Sequence, residues 1–389
     1  MDNTTLFAQL VNSLIDKSAF AKIVRKHDSD KGCKVYTTWH QFIWMIFCHL
    51  GSCRSIRDIS HTLESLMGNC RHLGLRKTPS KSSIAYQNTH RSWKVFRSIY
   101  YMLWKTLGQH LGGWHKLPII DKKIKLIDSS TITLCLKAFP WAAYTHEKGA
   151  VKLHTVLDLE MDMPSYMLVS DGKVADCKAA MHMPVSKDMV IVADRGYMDF
   201  ELLKHWDSKK AHFVVRHAST ISYRTIQEWE LPENCPDYIL KDETIAMIGP
   251  ESSIYEDILR RVVVYNEQHG YAVELLTNNF EWDAEVIAAL YKERWYIETF
   301  FRDLKQLLHI KTFIGTSPNA VLTQVWTALC AILLLRYLKI KSTQRWHFSN
   351  LVTFLRMNLF SKISLWTWLN YPFGRRKARD TPCIQGVLF

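Results

Sequence analysis

Three carboxylates and a cluster of helical polar residues carry the chemistry this sequence offers. Asp128 closes the apolar run "KIKLID" and Asp194 closes "VIVAD", so each puts a carboxylate where a strand gives way to a crevice. Glu298 lies in "YKERWYIETFFRDLK", residues 291–305, together with Tyr291, Arg294 and Lys305. Taken singly these are ordinary: an Asp after a strand is usually a turn former or a cap, and a helical Glu is usually solvated. The helix discriminates better. At about 100° per residue, with Tyr291 at zero, Arg294 falls at about −60°, Lys305 at about −40° and Glu298 at about −20°. Ile297, Phe300, Phe301, Leu304, Leu307 and Leu308 occupy roughly 160° to 280°. One stripe buries the helix, and the other presents two cations, a phenol and a carboxylate together. The plainer alternative is an amphipathic helix with an Arg294/Glu298 pair at four-residue spacing, worth about 0.3–0.5 kcal/mol.

Carboxylates from separate elements suit phosphoryl transfer. That reaction uses two hard divalent ions about 4 Å apart, one at the attacking oxygen and one at the leaving oxygen. Mg²⁺ is the expected ion, since it prefers oxygen ligands and keeps part of its water shell. Arg294 and Lys305 would then meet phosphates, Arg through a planar fork and Lys as a point charge.

Charge points to the same kind of partner. The 389 residues are 48% hydrophobic and 22% charged, which is globular composition with length for two or three domains. A net charge of +13 favours polyanions, with nucleic acid ahead of anionic membrane. The surplus is mainly N-terminal, with 17 Lys/Arg against 6 Asp/Glu in residues 1–120. Residues 228–257 are acidic, with Glu228, Asp242, Glu243 and Asp257 among them.

Nine cysteines without regular spacing, and no signal peptide, fit the reduced thiols of a cytoplasmic protein. Cys48, Cys53, Cys70 and His72 match no standard zinc spacing and are read as buried apolar thiols and a nearby ring. The apolar run Val321 to Leu338 approaches membrane-spanning length, but Thr323, Gln324, Thr327 and Arg336 interrupt it, so a core helix is expected.

The elements that must position these residues follow from periodicity. Residues 1–115 read as four to six short helices without strands. In "RKTPSKSSIAYQNTHRSWKVFRSIYYML", Thr78 serves as a cap and Pro79 as the first helical residue, followed by a basic helix, a break and a longer amphipathic helix. This is compatible with a helix-turn-helix, with Lys81 and Arg91 as candidate DNA contacts; the alternative is the solvated face of an all-α domain. From Lys122, three strand-like runs precede alternating helix and strand, which predicts an α+β fold with a mixed sheet flanked by helices. Punctuation by Pro232, Pro236, Gly249 and Pro250 marks a β-rich insertion, after which "AVELLT" leads to the polar-striped helix. The expected divisions are a helical DNA-binding domain over 1–118, a core in two parts over 119–217 and 275–335, the insertion over 218–274, and a helical region with the basic tail "GRRKARD" over 336–389.

With these residues placed, the chain closely resembles DDE transposases of the insertion sequence 4 family. Tyr291, Arg294, Glu298 and Lys305 match the family's Y-x2-R-x3-E-x6-K tetrad, and "IDSSTITL", "KLHTVLDLE", "SDGKVAD", "ADRGYMD" and "GTSPNAV" extend the match over about residues 120–335. The resemblance implies a ribonuclease H-like core with Asp128, Asp194 and Glu298 as catalytic metal ligands for two Mg²⁺, Mn²⁺ being able to substitute. It implies cleavage of terminal inverted repeats in double-stranded DNA and joining of the 3′-hydroxyl ends to target DNA, in a paired-end homodimer and through a hairpin in better-known members. Tyr291, Arg294 and Lys305 would hold terminal phosphates, with Arg195 beside them. Lys152 and His154 share one side of a strand and are weighed equally between DNA contact and buried packing. One departure stands: well-studied members place a Trp before the strand matching "ELLT" to stack on a flipped base, whereas this chain has Val273 and Glu274 there, with Tyr271, Trp229 and Trp282 as possible substitutes. The competing readings are a non-catalytic DNA-binding protein derived from a transposase and a structure-selective nuclease on the same core.

Overall fold

The computed structural model describes residues 4–66, 69–109, 120–142, 149–217, 221–249, 253–267, 270–308 and 313–374. Among the described residues six α-helices come first: α1 (Leu6–Leu14), α2 (Lys17–Lys26), α3 (Thr38–Leu50), α4 (Ile56–Ser65), α5 (Lys81–His90) and α6 (Lys94–Gly108). Local side-chain acceptors start several of them. The Thr5 hydroxyl accepts from the Ala8 N–H, and the Asp16 carboxylate from those of Ser18 and Ala19. The cap of α5 is Ser80 rather than Thr78, its hydroxyl accepting from the Ser83 N–H. Pro79 therefore lies outside the helix, where its carbonyl accepts from the buried Ser60 hydroxyl at 2.8 Å.

Among the described residues the sheet has nine strands: β1 (Ile124–Leu134), β2 (Gly149–Asp158), β3 (Met163–Asp171), β4 (Val190–Ala193), β5 (His212–Arg216), β6 (Tyr223–Glu228), β7 (Ile239–Met247), β8 (Leu259–Asn266) and β9 (Tyr271–Thr277). Their order is β3-β2-β1-β4-β5-β9-β8-β7-β6. β1 runs antiparallel to β2 and parallel to β4, and β5 continues parallel to β4. That arrangement is the mixed sheet expected from the order of strand-like and helical runs.

Side-chain alternation sorts the sheet into two faces. Ile127, Val156 and Ile191 pack with Leu202 and Trp206 of α8 (Phe200–Ser208), on the side where the short helix α7 (Asp176–Ala180) also lies. Leu126, Leu153 and Val192 pack toward α9 (Ala284–Glu293), α10 (Trp295–Leu308) and α11 (Pro318–Lys341). Ile297, Phe300, Phe301 and Leu304 form the buried stripe of α10. The side chains of Leu307 and Leu308 lie outside the described residues, as does most of the basic tail.

The acidic stretch after residue 218 extends this same sheet through β9 rather than standing as an irregular patch. Two of its acids, Asp242 and Glu243, are internal, while Glu228, Glu230, Glu233, Asp237, Glu256 and Asp257 are exposed. The Arg260 guanidinium grips Asp242 through two bonds of 2.8 and 2.6 Å, and Arg261 joins Glu243 and Glu274. Buried charges of this kind persist because each is paired and hydrogen-bonded.

The long apolar run is α11, and it is almost wholly buried, as expected for a core helix. Its polar residues have partners. The Gln324 carbonyl accepts from the Ile314 N–H, the Thr327 hydroxyl bonds the Thr323 carbonyl and His49, and Arg336 pairs with Asp162 and Asp303. Within "GTSPNAV", Ser317 caps α11, Pro318 takes its first position, and the Asn319 amide donates to the carbonyls of Asn88 and Arg91. This contact seats the α5–α6 break against the core. After α11 come α12 (Phe348–Asn358) and α13 (Leu365–Asn370).

Candidate active site

Asp128 is the fifth residue of β1, not its last. What ends nearby is its neighbour, since the β1–β4 pairing stops at Ile127 opposite Ala193. Asp128 continues to pair with Thr155 of β2, while its other flank opens where β4 has turned away. Asp194 is the first residue beyond β4 and leads into a short 3₁₀ turn. By alternation both carboxylates follow Leu126 and Val192, so they stand on the face that carries α10. Asp128 accepts from the Ser129 N–H at 2.7 Å. Burial, reinforced by the charges of Asp194 and Glu298 and opposed by the Ser129 N–H and Arg294, pushes its carboxyl up to about 6.

The polar-striped segment is two helices. α9 stops at Glu293, and the chain tightens through Arg294, whose N–H bonds the Tyr291 carbonyl at 3.1 Å while the Ile297 N–H bonds the Arg294 carbonyl at 3.2 Å. A straight 100° wheel is therefore broken at its second polar residue. The stripe survives the break. The Tyr291 hydroxyl donates to Asp194 at 3.1 Å, the Arg294 guanidinium donates to Glu298 at 2.6 Å, and it also lies 5.8 Å from the centre of the Tyr291 ring. Burial, and then the Asp194 charge, push the Tyr291 phenol up to about 12. Glu298 and Lys305 line an open cleft of about 560 Å³ with Asp128, Ser130, Arg302 and Gln306. Arg302 was not among the residues singled out by type and spacing. It falls at about 20° on the same wheel, beside Tyr291, so the signal was there to be read.

The other sequence candidates divide. Lys81 is exposed at the start of α5, and Arg195 is exposed just past Asp194. Arg91 is buried: its guanidinium donates to the Gln41 side chain at 2.8 Å and to the carbonyls of Ser29 and Tyr36, so it ties α3 to the α5–α6 break and offers no surface to DNA. His154 is fully buried, its ring bonded to the Ser170 hydroxyl and 3.3 Å from Asp176. Lys152 donates to Asp176 at 3.0 Å. Both lie on the α7 face of the sheet, behind Asp128, and take the packing alternative. Burial alone would raise Asp176, but hydrogen bonds from His154, Ser129 and Lys152 hold it down at about 2. Of the aromatic residues, Trp229 is half-buried with its indole N–H on Thr244 and the Arg260 guanidinium 5.1 Å from its ring, while Trp282 packs against His212. Tyr271 is more exposed, with the Arg216 guanidinium 5.6 Å from its ring.

As a metal site, the three carboxylates form an all-oxygen donor set whose charges repel on one face, which a divalent cation would relieve. Among the described residues no group of three or more His, Cys, Asp or Glu stands ready to ligate one ion. Glu298 is held by Arg294, and Asp194 accepts from Tyr291.

Residues 120–334 match the family described as "Transposase DDE domain", which is more than half of the chain. The chain belongs to that family. Its resemblance to insertion sequence 4 members and its ribonuclease H-like core stand on this match. Residues 2–76 match a second family, a domain of unknown function (DUF4372). The chain is 30% identical over 217 residues to a probable transposase for insertion sequence element IS5377 of Geobacillus stearothermophilus, covering 56% of this chain and 57% of that protein. It is 32% identical to the putative transposase y4zB of Sinorhizobium fredii, over 55% of this chain and 60% of that protein. It is 25% identical to a putative transposase for insertion sequence element IS4SA of Synechocystis, over 81% and 88%. The chain thus spans somewhat over half the length of the first two relatives. A solved piggyBac transposase synaptic complex with hairpin DNA aligns with 92% of this chain and 80% of that one at 14% identity and a TM-score of 0.44, too loosely to add to the strand order above.

Proposed function

We propose that this DDE transposase cuts the DNA ends of its element and joins them to target DNA, with Asp128, Asp194 and Glu298 as the metal-binding catalytic carboxylates. The observation that carries the reading is that the charges of Asp194, on the same sheet face, and Glu298, on α10, both act on Asp128, beside a cleft walled by Lys305 and Arg302. When bound, two divalent ions, Mg²⁺ or Mn²⁺, would supply an activated attacking oxygen and a stabilised leaving oxygen. The chain's residues do the rest. Arg302 and Lys305 grip phosphates on the cleft wall, and Arg294 and Tyr291 orient the two outer carboxylates until a DNA end takes over their hydrogen-bonding groups. Water serves as nucleophile for cleavage and the freed 3′-hydroxyl for joining. Terminal inverted repeats, target DNA and a second copy of the chain complete the working assembly, with excision through a hairpin.

The test uses a duplex taken from the DNA that flanks this coding sequence, with Mg²⁺ or Mn²⁺ and a plasmid target. Asp194→Asn and Glu298→Gln should abolish cutting and joining while duplex binding persists. Full cleavage by either variant removes that residue from the ligand set. Binding without any cutting by the unaltered protein would instead mark a non-catalytic descendant, and cutting without joining a nuclease.

A further inference from the structure

A second cavity, of about 210 Å³, opens between α10 and α12. It shares Gln306 with the lining of the catalytic cleft, so the two lie to either side of one residue of α10. Its walls include Asp303, Ser349, Thr353 and Arg356. Arg356 is partly buried, and its Nε donates to the Leu50 carbonyl at 3.0 Å. It makes no ion pair among the described residues, and burial is the sole cause that lowers its pKa. The acid in the same wall is already committed, since Asp303 faces Arg336 at 3.2 Å. The cavity therefore holds one half-desolvated guanidinium without a counter-charge, beside the exposed side chains of Ser349 and Thr353. A cation in that setting is costly to maintain unless an anion completes it.

We propose that this cavity is a second phosphate-binding site, in which Arg356 receives a phosphodiester of a DNA strand leaving the catalytic cleft along α10. The inference rests on the DNA-processing reading of the cleft. A planar fork meets a phosphate through two bonds, and the exposed Ser349 adds a hydroxyl donor at the rim, the Thr353 hydroxyl donating to the Ser349 carbonyl. The strand belongs either to the element's end or to the target, and the two arms below separate them.

The experiment measures affinity against salt concentration by fluorescence anisotropy, using the flanking duplex in one arm and an unrelated duplex in the other. Each phosphate contact contributes about 0.9 to the slope of log affinity on log salt. Arg356→Gln should lower the slope by about that amount. A loss confined to the flanking duplex assigns the end strand, and a loss in both arms assigns a phosphate of any duplex. Because Arg356 also anchors α12 to the end of α3, Thr353→Glu provides a variant that keeps that anchor and sets a carboxylate against the guanidinium; it should lower the slope equally. Unchanged slopes in both variants, with the unaltered protein binding normally, overturn the site. Failure of the unaltered protein to bind either duplex would overturn the functional reading itself.

Discussion

Asp128→Asn should make the metal-free protein more stable while destroying its cleavage. Folding carries this carboxyl from an ordinary 3.8 up to about 6, and each tenfold in proton affinity is worth about 1.4 kcal/mol. Ionised Asp128 therefore costs the fold up to about 3 kcal/mol. The sign is the reverse of the usual aspartate. The native state binds the proton more tightly than the unfolded chain, so its stability is full below about pH 4, falls as pH rises to about 6 and is flat beyond. Asparagine never ionises, and its side-chain oxygen still accepts from the Ser129 N–H, so the variant escapes that loss. Urea unfolding in a chelator at pH 8 should show the variant ahead by about 1–3 kcal/mol, with the gap closing at about pH 4. Saturating Mn²⁺ should then reverse the ranking, since ligand at about a hundred times its dissociation constant adds about 2.7 kcal/mol to the state that binds it. A variant no more stable at pH 8, or a gap that ignores pH, refutes the claim that burial, reinforced by two neighbouring carboxylates, raises the Asp128 carboxyl.

Arg91→Ala should cost about 3 kcal/mol or more by leaving buried acceptors unmet, seen as a drop in the thermal midpoint, whereas exposed Lys81→Ala should leave stability intact and flatten the salt dependence of DNA binding. Normal folding of the first variant with lost DNA binding would reverse the assignment of Arg91. Asp176 is held at about 2, so it contributes stability above the ordinary carboxylate range that disappears as pH falls through about 2; Asp176→Asn should be less stable than the unaltered protein at pH 7, with the difference fading in acid. Tyr291→Phe removes the donor to Asp194 and should cost the metal-free fold about 1–3 kcal/mol by chemical unfolding. An unaltered midpoint would show that bond to be of no consequence.

Much of the site was legible because it is written in spacing. The tetrad lies on one stripe, Asp128 and Asp194 each follow an apolar strand-like run, and polar interruptions distinguish α11 from a membrane span. Other features needed partners remote in sequence. Arg294 breaks the helix that the wheel assumed continuous. Lys152 and His154 have the right types for DNA but face α7 and Asp176. The acids Asp242 and Glu243 belong to a stretch legible only as acidic, and it is β8 that brings Arg260 and Arg261 against them.

What the sequence determined by itself is which residues share a face of each element, since periods of 3.6 and 2 are properties of local backbone geometry. Which face meets solvent, which meets another charge and which is sealed depends on contacts between segments tens to hundreds of residues apart. Only the tertiary structure decided that Asp128 stands where β4 ends, that Arg294 occupies Glu298, and that Arg356 lies half-buried with no ion-pair partner among the described residues.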